Sequence, residues 1–153
     1  MDNWEHVRRI HFIPVFYFPY DNWPIYHSLE HLMTENPRTY LPLSPTCFVC
    51  GKNNHAGLQG VFYVENEIVY MPFRVQQHHC GYPEVVHGGI VAAALDETMA
   101  WAATRALGRM CVTGKMTVRY LERTPSDQDL LVCAEVIKAH RRIAYTKAEL
   151  ADG

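Results

Sequence analysis

The chain has no excess of charge of either sign. Its 14 Lys and Arg stand against 16 Asp and Glu, a formal net charge of −2 with nine histidines counted neutral, so the balance argues for no nucleic-acid partner. An anionic small molecule would need a local basic patch instead. The sequence also lacks a bilayer-length apolar run. The apolar stretch at 10–20 follows Arg8-Arg9, but Pro14 and Pro19 interrupt it, Asp21 ends it and no small-residue cleavage site follows. We therefore expect no signal peptide, no membrane partner and a cytoplasmic protein. Nor do the cysteines form an even set. Five of them are spread from Cys47 to Cys133, which argues against a disulfide scaffold, and Cys47-x-x-Cys50 has no second Cys-x-x-Cys to complete a four-thiolate zinc site.

What is present suits one globular domain. The 153 residues are 48% hydrophobic and 20% charged, enough for one sizeable core and too few for two ordinary domains. Residues 1–45 differ in character: Pro14, Pro19, Pro24, Pro37, Pro42 and Pro45 punctuate a stretch crowded with Phe, Tyr and Trp. So many aromatics are costly to leave in water, so we expect an irregular extension packed on the domain, with a short helix at 28–34 capped by Ser28. It would serve as core cover or a contact between subunits, or alternatively as a wall of a ligand pocket.

The main domain is expected over 46–153. Residues 58–64 and 67–73 are β-rich runs around a turn at Glu65-Asn66, and 76–83 reads as a loop holding His78, His79 and Gly81. A helix is expected from Gly88 to Leu107, closed by Gly108. Strands follow at 111–122, 130–139 and 143–150, with a turn at Pro125-Ser-Asp127. One long helix among antiparallel strands is an α+β architecture. At 151–153 the Ala-Asp-Gly sequence is a turn signal with no strand after it.

The richest segment is Gly81-Tyr-Pro-Glu-Val-Val-His-Gly-Gly-Ile-Val-Ala-Ala-Ala-Leu-Asp96. Two glycines at a helix start leave backbone N–H groups approachable, which suits a carbonyl oxygen or a developing oxyanion. Asp96 shares a helix face with Gly89, Ala92, Ala93, Ala100 and Ala103, small residues that let a substrate or another backbone come close. Glu97, turned by about 100° on the helix wheel, faces another wall with Ile90, Ala94 and Trp101 and reads as a support or surface residue, with the role of base as the lesser alternative.

His87-Gly-Gly followed by Asp96 resembles the hotdog-fold thioesterases of the phenylacetate-pathway (PaaI-like) type. Cys47-Phe-Val-Cys-Gly51 with Asn53, Asn54 and Gly57-Leu58 is similar to the entry segment of many members, and Thr113 with Val118-Arg-Tyr120 to their strand after the helix. The resemblance runs over about 46–150. It implies a hotdog fold, a curved antiparallel sheet wrapped around one long central helix, and hydrolysis of acyl-CoA thioesters without a cofactor. Members usually continue into one more C-terminal strand, so 46–153 reads as lacking the last one. Some members also carry an Asn where this chain has Gly81, so that contact to the thioester carbonyl would be absent or supplied otherwise.

The resemblance implies roles as well. Gly88, helped by Gly89, would bind the thioester oxygen; Asp96 would activate water or attack directly; Thr113 would orient the water or the acid; His87 would brace the loop and reach toward the thioester, or simply satisfy loop backbone. Gly88 and Asp96 are eight residues apart, about 12 Å along a helix. One carbonyl cannot touch both, so the site would be shared between subunits of a homodimer or homotetramer, as the family also implies. CoA phosphates would meet Arg141 and Arg142, beside Lys138 and His140, or Arg119 and Arg123, although a solvated turn explains the same cluster. Tyr82 and Met99 would line the acyl space. Two rival readings exist. One is a non-catalytic acyl-CoA-binding protein on the same fold. The other is zinc held by Cys47, Cys50 and His55, completed by Cys80, His78 or His79; we read the cysteines as packing residues with no bound metal.

Overall fold

The structure, a computed structural model, describes residues 8–17 and 38–152. A seven-stranded antiparallel sheet is built from β1 (Arg8–Tyr17), β2 (Thr39–Tyr40), β3 (Tyr63–Glu65), β4 (Ile68–Arg74), β7 (Cys111–Thr113), β8 (Asp129–His140) and β9 (Ile143–Asp152), in the order β2-β3-β4-β8-β9-β1-β7. The short strands β5 (Cys80–Tyr82) and β6 (Val85–Val86) form a separate hairpin. One long helix, α1 (Gly88–Leu107), lies against β4, β7, β8 and β9. An antiparallel sheet with a single long helix on it is the hotdog plan.

Alternation of side chains dictates which face of the sheet meets the helix. Val69, Met71 and Phe73 of β4, Leu130, Val132 and Ala134 of β8, and Ala144, Ala148 and Leu150 of β9 are all buried. Their alanines, opposite Ala94, Ala102 and Ala103 of the helix, let the two layers approach, while Leu95, Met99 and Trp101 fill the remaining space. Each fully buried large apolar side chain contributes about 1.5–3 kcal/mol. The expected helix is present with its expected end. Gly108 is left-handed at φ 62°, and the N–H of Arg109 closes on Thr104 O at 3.2 Å.

Several sequence expectations are corrected. Residues 8–17 are a strand, not irregular chain: β1 pairs with β9 on one side and β7 on the other, and a register shift between Ile10 and Ile13 precedes Pro14 in the ladder. The helix expected at 28–34 lies outside the described residues. The first hairpin is shorter and turns one residue later. Asn66 and Glu67 both have positive φ, 50° and 66°, which is the type I′ geometry that matches strand twist. Residues 58–62 instead bond to the 48–49 turn, through Leu58 N–H to Phe48 O and Gly60 N–H to Val49 O. The 76–83 loop contains a 3-10 turn at Gln77–His79 and the strand β5.

The strand expected at 111–122 pairs only as far as Thr113. Met116 and Val118 are half-buried and Lys115, Thr117 and Arg119 exposed, so the period of two continues. The chain stays extended there, but among the described residues its backbone has no ladder partner.

Candidate active site

The helix start is organised by its cap. His87 holds an extended backbone, and its Nδ1 accepts the N–H of Gly89 at 2.9 Å, which puts the ring proton on Nε2. The carbonyl of His87 takes the N–H groups of Ile90 and Val91. In the first turn this leaves the N–H of Gly88 without an acceptor among the described residues. The expectation that Gly89 assists Gly88 is therefore corrected: its donor is spent on the cap. Gly88 is also tightly approached from outside, since a Cβ there would sit 3.3 Å from the ring and hydroxyl of Tyr120. Tyr120 donates its hydroxyl to Gly88 O at 2.7 Å and so fixes the peptide that bears the free donor's neighbouring carbonyl.

Around this point lies an open pocket of about 340 Å³, lined by Val85, Val86, Gly88, Val91, Tyr120 and Arg123 among others. Arg123 and exposed Arg119 are the basic residues at this end. Strand register puts Arg141 and Arg142 elsewhere. They form the β8–β9 turn just past His140 and Ile143, and Ile143 lies across Phe16 from Val112, toward the Cys111 end of β7. The two basic groups are thus separated, one near Gly88 and the other at the opposite end.

Two turns further along the helix, Asp96 is half-buried. The hydroxyl of Thr113 donates to its Oδ1 at 2.5 Å, so the two residues that the resemblance pairs are in contact. Oδ2 carries no hydrogen bond from the described residues. The small-residue stripe around Asp96 is half-exposed at Ala92, Ala93 and Ala100, with only Ala103 buried. Gly88 and Asp96 stay about 12 Å apart on this continuous helix.

Other expected residues scatter. Met99 is 1% exposed and belongs to the core rather than to an open acyl wall. Tyr82 is on the β5–β6 hairpin and 76% exposed. At Gly81 a Cβ would meet the His87 ring at 3.1 Å, so a larger side chain there would have to displace the cap.

Glu97 is the residue whose role the sequence hid. It is no surface residue: its Oε1 accepts the thiols of Cys47 at 3.6 Å and Cys50 at 3.7 Å. Burial, with Asp96 beside it, pushes its carboxyl up, and the two thiols oppose that shift. Desolvation pushes the Cys50 thiol up to about 12. The histidines of the expected zinc set do not converge on these thiols. His55 is exposed, and His79 spends both ring nitrogens on the loop, accepting from Gln76 N–H and donating to Ala56 O. Tyr120 was quoted in the sequence only as part of a strand motif. Nothing local marks it, because its partner Gly88 is 32 residues away.

Comparison with known proteins bears on the same half of the chain. Residues 84–153 match the family model described as Thioesterase superfamily. No curated protein sequence matches the chain significantly. Among solved structures, the chain resembles a crystal structure of a thioesterase superfamily protein at TM-score 0.59 and 18% identity, over 74% of this chain and 63% of that one. It thus spans less than two thirds of that relative's length. Zebra fish thioesterase superfamily member 2 matches at TM-score 0.43 and 18% identity, over 56% of this chain and 73% of that one. The segment that carries the cap, the helix, Asp96 and Thr113 is the segment that matches the Thioesterase superfamily, on the hotdog fold of that superfamily.

Proposed function

We propose that this protein hydrolyses acyl-CoA thioesters, as a PaaI-like cytoplasmic homo-oligomer whose active sites are each built from two subunits. Residues 46–153 carry the catalytic groups, and β1 (8–17) completes their sheet between β9 and β7. The observation that carries the reading is the division of labour along α1: an unclaimed Gly88 N–H at the positive end of the helix dipole, and an aspartate with one oxygen held and one free about 12 Å away.

In the shared site, Gly88 N–H of one subunit binds the thioester oxygen. Asp96 of the other stands on the opposite side of the carbonyl carbon, oriented by Thr113. Acting as a base, Asp96 Oδ2 takes a proton from water while the water oxygen bonds to the carbonyl carbon. The oxyanion that forms is held by Gly88 N–H, then collapses, breaks the C–S bond and releases CoA as a thiolate that takes up a proton. Acting as a nucleophile, the same oxygen bonds to the carbonyl carbon, the C–S bond breaks with release of CoA thiolate, and water then opens the resulting anhydride to the free acid and the Asp96 carboxylate. Arg123 and Arg119 lie on the Gly88 side and Arg141 and Arg142 toward the Cys111 end of β7, so an antiparallel pair of subunits would bring cations from both toward CoA phosphates.

A test is thiol release from a panel of acyl-CoAs by the wild type and by Asp96→Asn. The substitution keeps shape and removes the charge. We expect turnover to fall by about 100-fold or more with an unchanged circular dichroism spectrum. Wild-type-like turnover in a folded Asp96→Asn protein refutes the assignment. One observation favours a second reading, acyl-CoA binding without hydrolysis: Gly81 leaves no side chain for the carbonyl contact that some similar thioesterases make. Saturable acyl-CoA binding with no thiol release from any member of the panel would establish it.

A further inference from the structure

Outside the site just described, two thiols and a carboxylate converge. Cys47 Sγ, Cys50 Sγ and a Glu97 oxygen lie within 4.8 Å of one another, joining the turn at 44–60 to the middle of α1. We propose that this cluster is a site for a divalent cation of the Zn²⁺ type, with Cys47, Cys50 and Glu97 as protein ligands and a water in the fourth position.

Geometry is the first argument. A tetrahedral zinc centre with Zn–S near 2.3 Å and Zn–O near 2.1 Å separates its sulfur and oxygen ligands by about 3.6 Å. The two S···O separations are 3.6 and 3.7 Å. The two sulfur–oxygen edges thus already match a zinc polyhedron, and the third, between the sulfurs, is within 4.8 Å. The burial pattern is compatible with this, with Cys50 fully buried and Cys47 and Glu97 half-buried.

The turn also aims a backbone donor at one of the sulfurs. Val49 N–H donates to Cys47 Sγ at 3.3 Å, a bond that favours negative sulfur. Gly51 N–H closes on Cys47 O at 3.0 Å and Asn53 N–H on Pro45 O at 2.9 Å, which tightens the loop beneath the sulfurs. A Cβ at Gly51 would overlap the backbone of Cys47 and Pro45, so only glycine lets the chain turn back this sharply after the second cysteine. Packing alone explains one buried and one half-buried cysteine, but not an N–H aimed at sulfur and a carboxylate aimed at both.

Charge is the third argument. Among the described residues no Lys, Arg or His forms an ion pair with Glu97, and its sequence neighbour Asp96 is a second acid. A buried carboxylate is costly unless it is paired or bound to a metal. A divalent cation supplies the missing countercharge and selects soft thiolates together with one carboxylate. Bound there, it fastens the 44–60 turn to the helix one residue from Asp96.

The test uses the full chain, reduced, stripped with a chelator and freed of it. Titration with Co²⁺ is expected to give one ion per chain, with the intense visible bands of tetrahedral cobalt and a thiolate-to-cobalt charge-transfer band. Zn²⁺ should displace it and raise the melting temperature. Glu97→Gln, close in shape, should weaken Zn²⁺ binding by about 10-fold or more while circular dichroism stays unchanged. Cys50→Ser and Cys47→Ser should each weaken the charge-transfer band. If a buried cysteine variant does not fold, the wild-type spectrum and Glu97→Gln still decide. Failure of the reduced wild type to take up stoichiometric metal overturns the proposal. So does cobalt bound without the charge-transfer band, or unchanged binding in folded Glu97→Gln. A Cys47–Cys50 disulfide in the isolated protein, with no metal uptake after reduction, overturns it in favour of a redox pair. None of these readouts depends on thioester cleavage.

Discussion

His79 shows how a single ring sets a loop and ties its stability to pH. It is 4% exposed, accepts Gln76 N–H at Nδ1 and donates Nε2–H to Ala56 O, while its own carbonyl receives His87 N–H. Protonation would place a second N–H at Nδ1, facing the Gln76 donor. Burial, and then neighbouring His78, lower its pKa below 6.5, against the Ala56 bond that raises it. A histidine with a lowered native pKa binds fewer protons folded than unfolded. Its contribution to stability is therefore complete above the unfolded value and is lost as pH falls through 6.5 toward the native value. Denaturant melts across that window should show stability falling with acid, and His79→Gln should flatten the slope while lowering stability at neutral pH. An unchanged slope in the variant would refute the assignment. The sequence marked Asp96 and Thr113 as partners because a family pattern spans both. It left Glu97 as a support or surface residue; the structure makes it a support, whose partners at 47 and 50 arrive from a distant turn that wheel position does not record.

At the scale of elements, local chemistry predicts ends better than extents. The helix was legible from first residue to last because its stop is a backbone requirement: Gly108 sits at φ 62° with nothing within 4 Å of where a Cβ would be. That makes Gly108→Ala a clean probe, since steric crowding is absent and only left-handed strain remains. We expect a loss of about 1 kcal/mol, read as a melting temperature lower by about 2–4 °C, with activity per folded molecule unchanged. No loss would mean that the cap geometry differs from that described. Strand extents were less legible because pairing depends on neighbours far along the chain. Residues 58–62 are β-rich yet bond to the 48–49 turn, and 114–120 alternate like a strand without a paired edge. Conversely, residues 8–17 looked irregular because Pro14 lies within a proline-punctuated stretch, but β9 and β7 supply partners on both sides.

For the whole molecule, the length of α1 decides how an active site can be assembled. A single chain holds Gly88 and Asp96 two turns apart, so on the proposed mechanism a monomer has two half-sites and should be inactive. On that mechanism the segment at 114–120, which has no ladder partner among the described residues, and the half-exposed alanines around Asp96 would meet a second copy. The decisive experiment mixes two dead variants. Asp96→Asn removes the acid. Gly88→Pro removes the N–H donor at the first helical position, where proline is tolerated, and His87 already holds the extended backbone (φ −62°, ψ 132°) that a following proline requires. In an antiparallel heterodimer one site carries both lesions and the other carries neither. Activity should therefore return to roughly half that of an intact dimer, while each homodimer stays inactive. Mass spectrometry identifies the heterodimer and circular dichroism checks each parent's fold. A confirmed heterodimer of folded chains that does not turn over, or full activity in a proven monomer, would refute the shared site.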